Sequence, residues 1–455
     1  MRCTKLKPYS EAYQYLCKFT DYERMAKVNY SQTAYNLKRM KWLLQALGNP
    51  HDKLRCIHIA GTKGKGSTAI MLATILAQAG YQVGIYTSPH LVDMRERIQV
   101  WHNGKQNLIS KNDFTKLMNH ITNGLNRQNL NPTFFELMTA LGFLHFARQG
   151  VDFAVIEVGL GGRLDATNLI TPIASVITRI DFDHMDKLGY TLNEIAREKA
   201  GIIKAGVPTI SFRQKTAADK VIRSIAINNK APLYLANILR HNLPVQGAHQ
   251  SENWSLALKT IEVINKRGIT DIGPAIIKSA LKRLELPGRI ELVSSQPDII
   301  IDSAHNAVSI KATTDTVSRL PAKGGSASPA SPRRSRGRAG GKYHKVILIF
   351  ALSADKEIGK IISSVITMAD IIIFTRTSHP RLMDPEGFVR YLPNDSNKTF
   401  LIEPDYTKAL SMARRLAQAD DLIIITGSFY LAGPVRELLA TKTPRHEGHN
   451  PLISS

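Results

Sequence analysis

Residues 56–90 read CIHIAGTKGKGSTAIMLATILAQAGYQVGIYTSPH. Residues 56–60 form a short apolar run, read as a strand. The glycine-rich loop Gly61-Thr62-Lys63-Gly64-Lys65-Gly66-Ser67-Thr68 follows. Residues 67–79 then read as a helix stopped by Gly80, and residues 82–87 as the next strand. This order makes a βαβ unit, the setting in which a glycine loop holds phosphate. The loop is not the usual G-x-x-x-x-G-K-[ST], because Gly66 follows the lysine and the first glycine is displaced. Its parts still have clear uses. Small residues let backbone N–H groups approach phosphate oxygens, and the helix start near Ser67 adds a positive pole. Lys65 supplies a point charge, and the threonines and serine supply hydroxyls. Nucleotide binding is the expectation.

Working outward, residues 153–158, 174–178 and 209–212 read as further strands, with a helix over 134–148. Alternating strands and helices imply a mostly parallel sheet covered on both faces. A second α/β series starts near Arg289, with strands over 298–302, 345–350, 371–375 and 422–426. Between the two, LELPGRIEL (284–292) carries Pro287 and Gly288, a plausible hinge. The expected division is an ATP-binding domain over 1–288 and a C-terminal α/β domain over 289–440. Residues 322–342 are rich in Gly, Ser, Pro and Arg and read as a disordered basic insertion, and 441–455 as a disordered tail.

A chain of 455 residues exceeds one average domain, and 43% hydrophobic with 21% charged residues is ordinary for globular proteins. The net charge is +23, and the 322–342 segment accounts for six of those charges without an acidic residue. The remainder is basic too. Nucleic acid, a polyanionic small molecule or a general compositional bias would each explain it. The first residues lack the apolar stretch of a secretory signal, and no apolar run is long enough to span a bilayer. Cys3, Cys17 and Cys56 lack metal-ligand spacing. A reducing cytoplasmic compartment is the expectation.

The next chemistry lies at strand ends. Ser88 follows Tyr86-Thr87, Glu157 ends VDFAVIE, and Asp183-His184 follow SVITRIDF. Ligands of doubly wound sheets bind outside the carboxyl ends of the strands, so these residues could converge near the phosphates. A hydroxyl, a carboxylate and an imidazole could complete the shell of a divalent cation that also takes phosphate oxygens. Taken singly, each has a plainer reading as a solvated polar residue. EVGLGGRLDATN (157–168) is a second glycine loop, read as lying on the substrate or metal side. TLNEIAREKAGIIK (191–204) opens with a capping box, Thr191 with Glu194, and its Lys199 reads on its own as an ion-pair residue.

HIAGTKGKGST, YTSPH, TFFELMTALGFLHFA, EVGLGGRLDATN, DFDHMDKLGYTLNEIAREKAGIIK, LPGRIE, DSAHN and TGSFYLAG occur in this order. Together they resemble the folylpolyglutamate synthase and dihydrofolate synthase family, within the Mur ligase superfamily, from about Phe19 to about Leu438. The resemblance implies a P-loop-type ATPase domain followed by a Rossmann-like α/β domain. It implies ATP-dependent addition of L-glutamate to dihydropteroate, to the glutamate tail of folates, or to both, through an acyl phosphate. It places ATP on Gly61 to Thr68 with Lys65 at the outer phosphates, and magnesium on Ser88, Glu157 and His184, with a second ion supported by a carbamate on Lys199. Lys199 falls on the family's carbamylated lysine. Asn253, Arg289 and Asp302 match contacts to ATP, clamped between domains. His305 and Ser428 match positions of glutamate handling and catalysis, and Phe135 and Glu136 the pterin side.

Three departures stand out: Lys63 and Arg179 where asparagine is usual, and Ala307 where proline is usual. The implied partners are small molecules, with no nucleic acid or membrane, and a monomer. A single-activity folylpolyglutamate synthase is the alternative within enzymes. EVGLGGRLDATN and SAHN fit the folate branch better than a peptidoglycan ligase. From another class, a basic nucleic-acid-binding ATPase would use the charge, but it shows no nucleic-acid module and leaves the second α/β domain unexplained.

Overall fold

A computed structural model describes residues 6–22, 25, 35–128, 130–320, 343–393 and 397–442. The chain divides into two compact units, Met1–Leu286 and Pro287–Ser455, so the break falls within LELPGRIEL. Segment 322–342 and the tail beyond Lys442 lie outside the described residues. The closing helix, Phe429–Lys442, includes Thr441 and Lys442, which composition assigns to the tail. A hydrogen bond from the Thr441 hydroxyl to the Leu438 carbonyl continues that helix.

The first unit is built on eight strands: β1 (Cys56–Ala60), β2 (Val83–Tyr86), β3 (Ile98–His102), β4 (Lys105–Leu108), β5 (Phe153–Glu157), β6 (Ala174–Ile177), β7 (Thr209–Ser211) and β8 (Leu233–Leu235). Their order is β4-β3-β2-β5-β1-β6-β7-β8. β2 to β8 in this order run parallel, while β3 and β4 extend the edge antiparallel. Every residue of β1, β2, β5 and β6 is buried. That follows from apolar runs covered on both faces, which is how parallel sheets read. Cys56, Tyr86, Ala154 and Ile156 pack on one side with the Phe134–Gln149 helix. Ile57, Ile59, Val83 and Val155 pack on the other, with the Lys65–Gln78 and Ala248–Lys266 helices.

The register sets the site. Ile59 pairs with Glu157, Ala60 with Ile177, and Tyr86 with Ile156. The carboxyl ends of β1, β2, β5 and β6 therefore open at one edge, where the glycine loop, Ser88 and the 157–168 loop begin.

The second unit has β9 (Glu291–Ser294), β10 (Asp298–Ile301), β11 (Val346–Phe350), β12 (Ile371–Arg376), β13 (Thr399–Asp405) and β14 (Leu422–Thr426), in the order β13-β12-β11-β14-β10-β9. Only β9, in this sheet, is antiparallel to its neighbour. Phe350, Phe374 and Phe388 are fully buried against it, the last two stacked with centroids 4.8 Å apart. No helix among the described residues is long and apolar enough to cross a membrane.

Gly84 lies inside β2 because the Phe146 ring presses on it: a Cβ there would stand 2.7 Å from two ring carbons. Gly84→Ala is expected to destabilise the fold by about 1–3 kcal/mol through overpacking. Adding Phe146→Leu should recover part of the loss, read by urea unfolding; strictly additive losses would refute the clash.

Candidate active site

The phosphate loop owes its shape to two glycines. Gly61 has φ +150°, and a Cβ on it would sit 1.8 Å from the Thr178 hydroxyl oxygen. Gly64 has φ +85°, and its Cβ would sit 2.1 Å from Asn253 Oδ1. Gly64 is also the residue at which the helix starts, so the helix runs Lys65–Gln78 and begins earlier than the expected residue 67. A left-handed glycine ends the loop more abruptly than residue type suggests. Lys65, Gly66 and Ser67 are therefore first-turn residues, whose N–H groups have no acceptor within the helix. The Thr68 hydroxyl is buried with no partner among the described residues. These are donors of the kind a polyphosphate takes up.

Ser88 and Glu157 meet beside this loop. Glu157 is 4% exposed, and its Oε2 accepts the Ser88 N–H at 3.0 Å. Lys65 Nζ stands 4.0 Å from Glu157 Oε1. His184 has a left-handed backbone and precedes the short Met185–Leu188 helix. Its segment is tied to the loop by Thr62, which accepts the Asp181 N–H at 3.1 Å and donates its N–H to the Arg179 carbonyl at 2.8 Å. Among the described residues, no three His, Cys, Asp or Glu side chains form a metal cage by themselves. A cation here would need phosphate oxygens, a hydroxyl or water as well, which suits a hard divalent ion.

Lys199 lies in the Leu192–Ala200 helix, whose start carries the expected capping box of Thr191 and Glu194. Its amine is not in the ion pair that the residue alone suggests. Lys199 is 5% exposed, and its Nζ donates to the Gly61 carbonyl at 2.9 Å. Burial first, and then the charge of Lys65, lowers the amine from its ordinary 10.5 to about 7.

Two of the unusual residues bring their own counter-charges. Lys63 Nζ donates to Asp183 Oδ2 at 2.7 Å, and Arg179 donates to Glu252 at 2.7 and 3.2 Å. Asn253 donates to Gln250 Oε1 at 2.9 Å while its own Oδ1 faces Gly64.

On the acceptor side, Phe135 packs over Gly159, where a Cβ would come within 2.4 Å of its ring. Glu136 is otherwise engaged. Its carboxylate caps its own helix through the Thr133 N–H and takes a two-pronged pair from Arg39, at 2.7 and 2.8 Å. Arg39 lies 97 positions away, and nothing local in the sequence announces it. The 157–168 loop holds a second buried network that residue types alone did not reveal. Asp165 Oδ1 accepts the Thr167 N–H and hydroxyl, and Oδ2 accepts the Leu160 N–H at 3.0 Å.

In the second unit, Arg289, Asp302, His305 and Ser428 gather at the carboxyl ends of β10 and β14. Asp302 accepts the Ile290 N–H at 3.2 Å and the Thr313 hydroxyl. Arg289 donates to the Ser303 hydroxyl at 2.6 Å and lies 4.9 Å from the centre of the Phe429 ring. His305 Nδ1 donates to the Ser303 carbonyl at 2.9 Å. Ser428, 2% exposed, accepts the Tyr430 N–H at 3.1 Å. The predicted residues thus fall into two sets, one in each unit.

The Mur ligase middle domain matches residues 59–237, and the Mur ligase glutamate ligase domain residues 334–429. The dihydrofolate synthase/folylpolyglutamate synthase of Bacillus subtilis is 33% identical over 434 residues, covering 89% of this chain and 94% of that protein. The chain belongs to the folylpolyglutamate synthase/dihydrofolate synthase family. Among solved structures, a Mycobacterium tuberculosis folylpolyglutamate synthase complexed with ADP matches with a TM-score of 0.81 at 25% identity, over 96% of this chain and 99% of that one. E. coli FolC in complex with DHPP and ADP matches with a TM-score of 0.79 at 25% identity, over 97% and 99%. This family membership bears out the expected Mur ligase fold.

The Lys199 amine gives a measurable signature. The unfolded chain keeps it protonated up to 10.5, whereas the folded chain releases the proton near 7. Between those values the unfolded state binds more protons, so this group favours folding increasingly as pH rises. Lys199→Met removes that dependence. Urea unfolding should find the variant ahead of the parent below pH 7, with the gap narrowing toward pH 10.5. Parallel curves across that window would refute the lowered amine.

Proposed function

We propose that the protein is an ATP-dependent ligase that joins the amino group of L-glutamate to a carboxylate of dihydropteroate, of a folate glutamate tail, or of both. The observation that carries this reading is the near full-length match to a relative named for both activities. The geometry supports it. The unshared N–H groups of the helix start, Lys65 and a buried carboxylate stand at one sheet edge, which suits phosphoryl transfer, where positioning and charge neutralisation dominate.

The acceptor carboxylate oxygen attacks the γ-phosphorus and ADP leaves, giving an acyl phosphate. The glutamate nitrogen then attacks the acyl carbon, and phosphate leaves as the amide forms. Gly61 to Thr68 bind the ATP phosphates, with Lys65 offsetting their charge. Ser88, Glu157 and His184 fit magnesium together with phosphate oxygens, and the bound ion would supply charge neutralisation at the γ-phosphate. Lys199 can add carbon dioxide as its neutral amine, with loss of one proton, turning a cation into a carbamate anion able to support a second magnesium. Its lowered proton affinity favours that form. Asn253, Arg289 and Asp302 serve ATP, while His305 and Ser428 serve glutamate. Phe135 offers an apolar wall to the pterin side. We place the enzyme in the cytoplasm as a monomer.

The test is ADP release with dihydropteroate or tetrahydrofolate plus glutamate, beside DNA and RNA. Stimulation by either folate acceptor is expected, and the pair decides whether one activity or two is present. Stimulation by nucleic acid alone would overturn the proposal.

Glu157→Gln keeps the side chain's size and removes its charge. Ligation should fall by orders of magnitude while the melting temperature stays near that of the parent. Near-parental turnover at saturating magnesium would reject Glu157 as a metal ligand.

A further inference from the structure

His58 is wholly buried in β1, and the chemistry above gives it no task. Among the described residues its one side-chain hydrogen bond, Nε2 to the Thr167 hydroxyl oxygen at 2.9 Å, reaches across 109 positions. The direction of that bond follows from proton count. A threonine hydroxyl carries one hydrogen. Asp165 Oδ1 accepts the Thr167 N–H as well as its hydroxyl, so as a carboxylate it takes the Thr167 hydrogen and leaves the oxygen to accept from His58. The proton of His58 therefore sits on Nε2, and Nδ1 is left bare and buried, with no partner among the described residues. The ring stays neutral: burial first, and then the charge of Lys204, lowers its pKa to about 3.

An imidazole held in one tautomer at the expense of its other nitrogen is doing something for Thr167. Thr167 belongs to the loop that grips the end of the Lys199 helix. In that loop the Arg163 N–H donates to the Glu198 carbonyl at 2.8 Å, and Arg163 also pairs with the Glu198 carboxylate at 2.8 Å. Asn168 donates to the Gly201 carbonyl at 3.1 Å, and Lys204 to the Asn168 carbonyl at 2.8 Å. The fit is close: a Cβ on Gly162 would stand 2.9 Å from the Glu198 carbonyl oxygen. On the other side, β1 runs directly from His58 to Gly61, whose carbonyl holds Lys199 Nζ. The contacts close into a ring, from Gly61 back along β1 to His58, across to Thr167 and Asn168, on to Gly201, and through Lys199 to Gly61.

We propose that His58 is a positioning residue: through Thr167 it fastens the 159–169 loop to β1, and so holds the Lys199 amine against the carbonyl of the phosphate loop. The consequence for turnover rests on the ligase reading above; the consequence for Lys199 itself does not. Removing an outer-layer hydrogen bond of this kind commonly lowers activity by about tenfold or more.

The test compares His58→Gln, which keeps an N–H near the place of Nε2, with His58→Leu, which keeps bulk and loses the donor. Thr167→Val breaks the same bond from the other side and replaces the leucine variant if that chain does not fold. Two readouts are taken on the full chain. One is kcat against KM for ATP in ligation. The other is the rate at which acetic anhydride labels Lys199 relative to Lys65, by peptide mapping. The leucine or valine variant should lose about tenfold in kcat with KM for ATP nearly unchanged, and its Lys199 should label several-fold faster. The glutamine variant should match the parent in both. Parental labelling and turnover in the leucine or valine variant would overturn the proposal. So would a folded glutamine variant as impaired as the leucine one. A parent that ligates nothing would sink the proposed function instead, and the labelling ratio would still decide the role of His58.

Discussion

The lysine amine of the first unit is held by a backbone carbonyl, and that contact depends on the absence of a side chain. Gly61 approaches Thr178 so closely that a Cβ would overlap its hydroxyl. Any other residue would push the loop away from β6, and with it the carbonyl that receives Lys199. The same approach brings Thr62 onto the Arg179 carbonyl and Lys63 onto Asp183, so the segment before His184 is anchored to the loop. The polar contacts of Thr62, Lys63 and Lys199 can be traced from this one tight crossing.

Much of the scaffold was readable from residue order. β1 and β14 fall on the predicted residues, because fully buried parallel strands are uninterrupted apolar runs closed by a glycine loop. The edges were harder. β4 is mostly exposed and polar, and β13 is largely exposed too, so neither carries a continuous apolar run. At the site, the loop, Ser88 and Glu157 were legible because glycine spacing and strand ends fix where they go. The surroundings of Lys199 were not. Its acceptor lies 138 positions away, and a backbone carbonyl leaves no trace in residue type. Glu136 shows the same limit. Its capping box is local and readable, while the Arg39 pair that occupies its carboxylate arises only from tertiary packing.

Charge tells a related story. The chain is strongly basic, yet the two unusual cations next to the loop are each matched by a nearby carboxylate. The local field at the phosphate loop is thus set less by overall composition than by Lys65 and by how deeply Lys199 and Glu157 are buried. Pairs such as Arg179 with Glu252, about a third exposed, are screened by water and salt and add little to stability. Their effect is on where the backbone of residues 178–184 rests.

The strand order of the first sheet also bears on how the chain is made. β1 sits at the centre, but its neighbours β5 and β6 are encoded far downstream, as the pairings of Ile59 with Glu157 and Ala60 with Ile177 require. During synthesis this central strand emerges long before either partner exists. Non-local parallel pairing is slow, and unpaired strand edges aggregate. The nucleotide loop cannot take shape in that interval, because Thr178 and Lys199 have yet to be translated. Nucleotide can therefore assist only the late stages of folding, after β5 and β6 have closed both edges of β1.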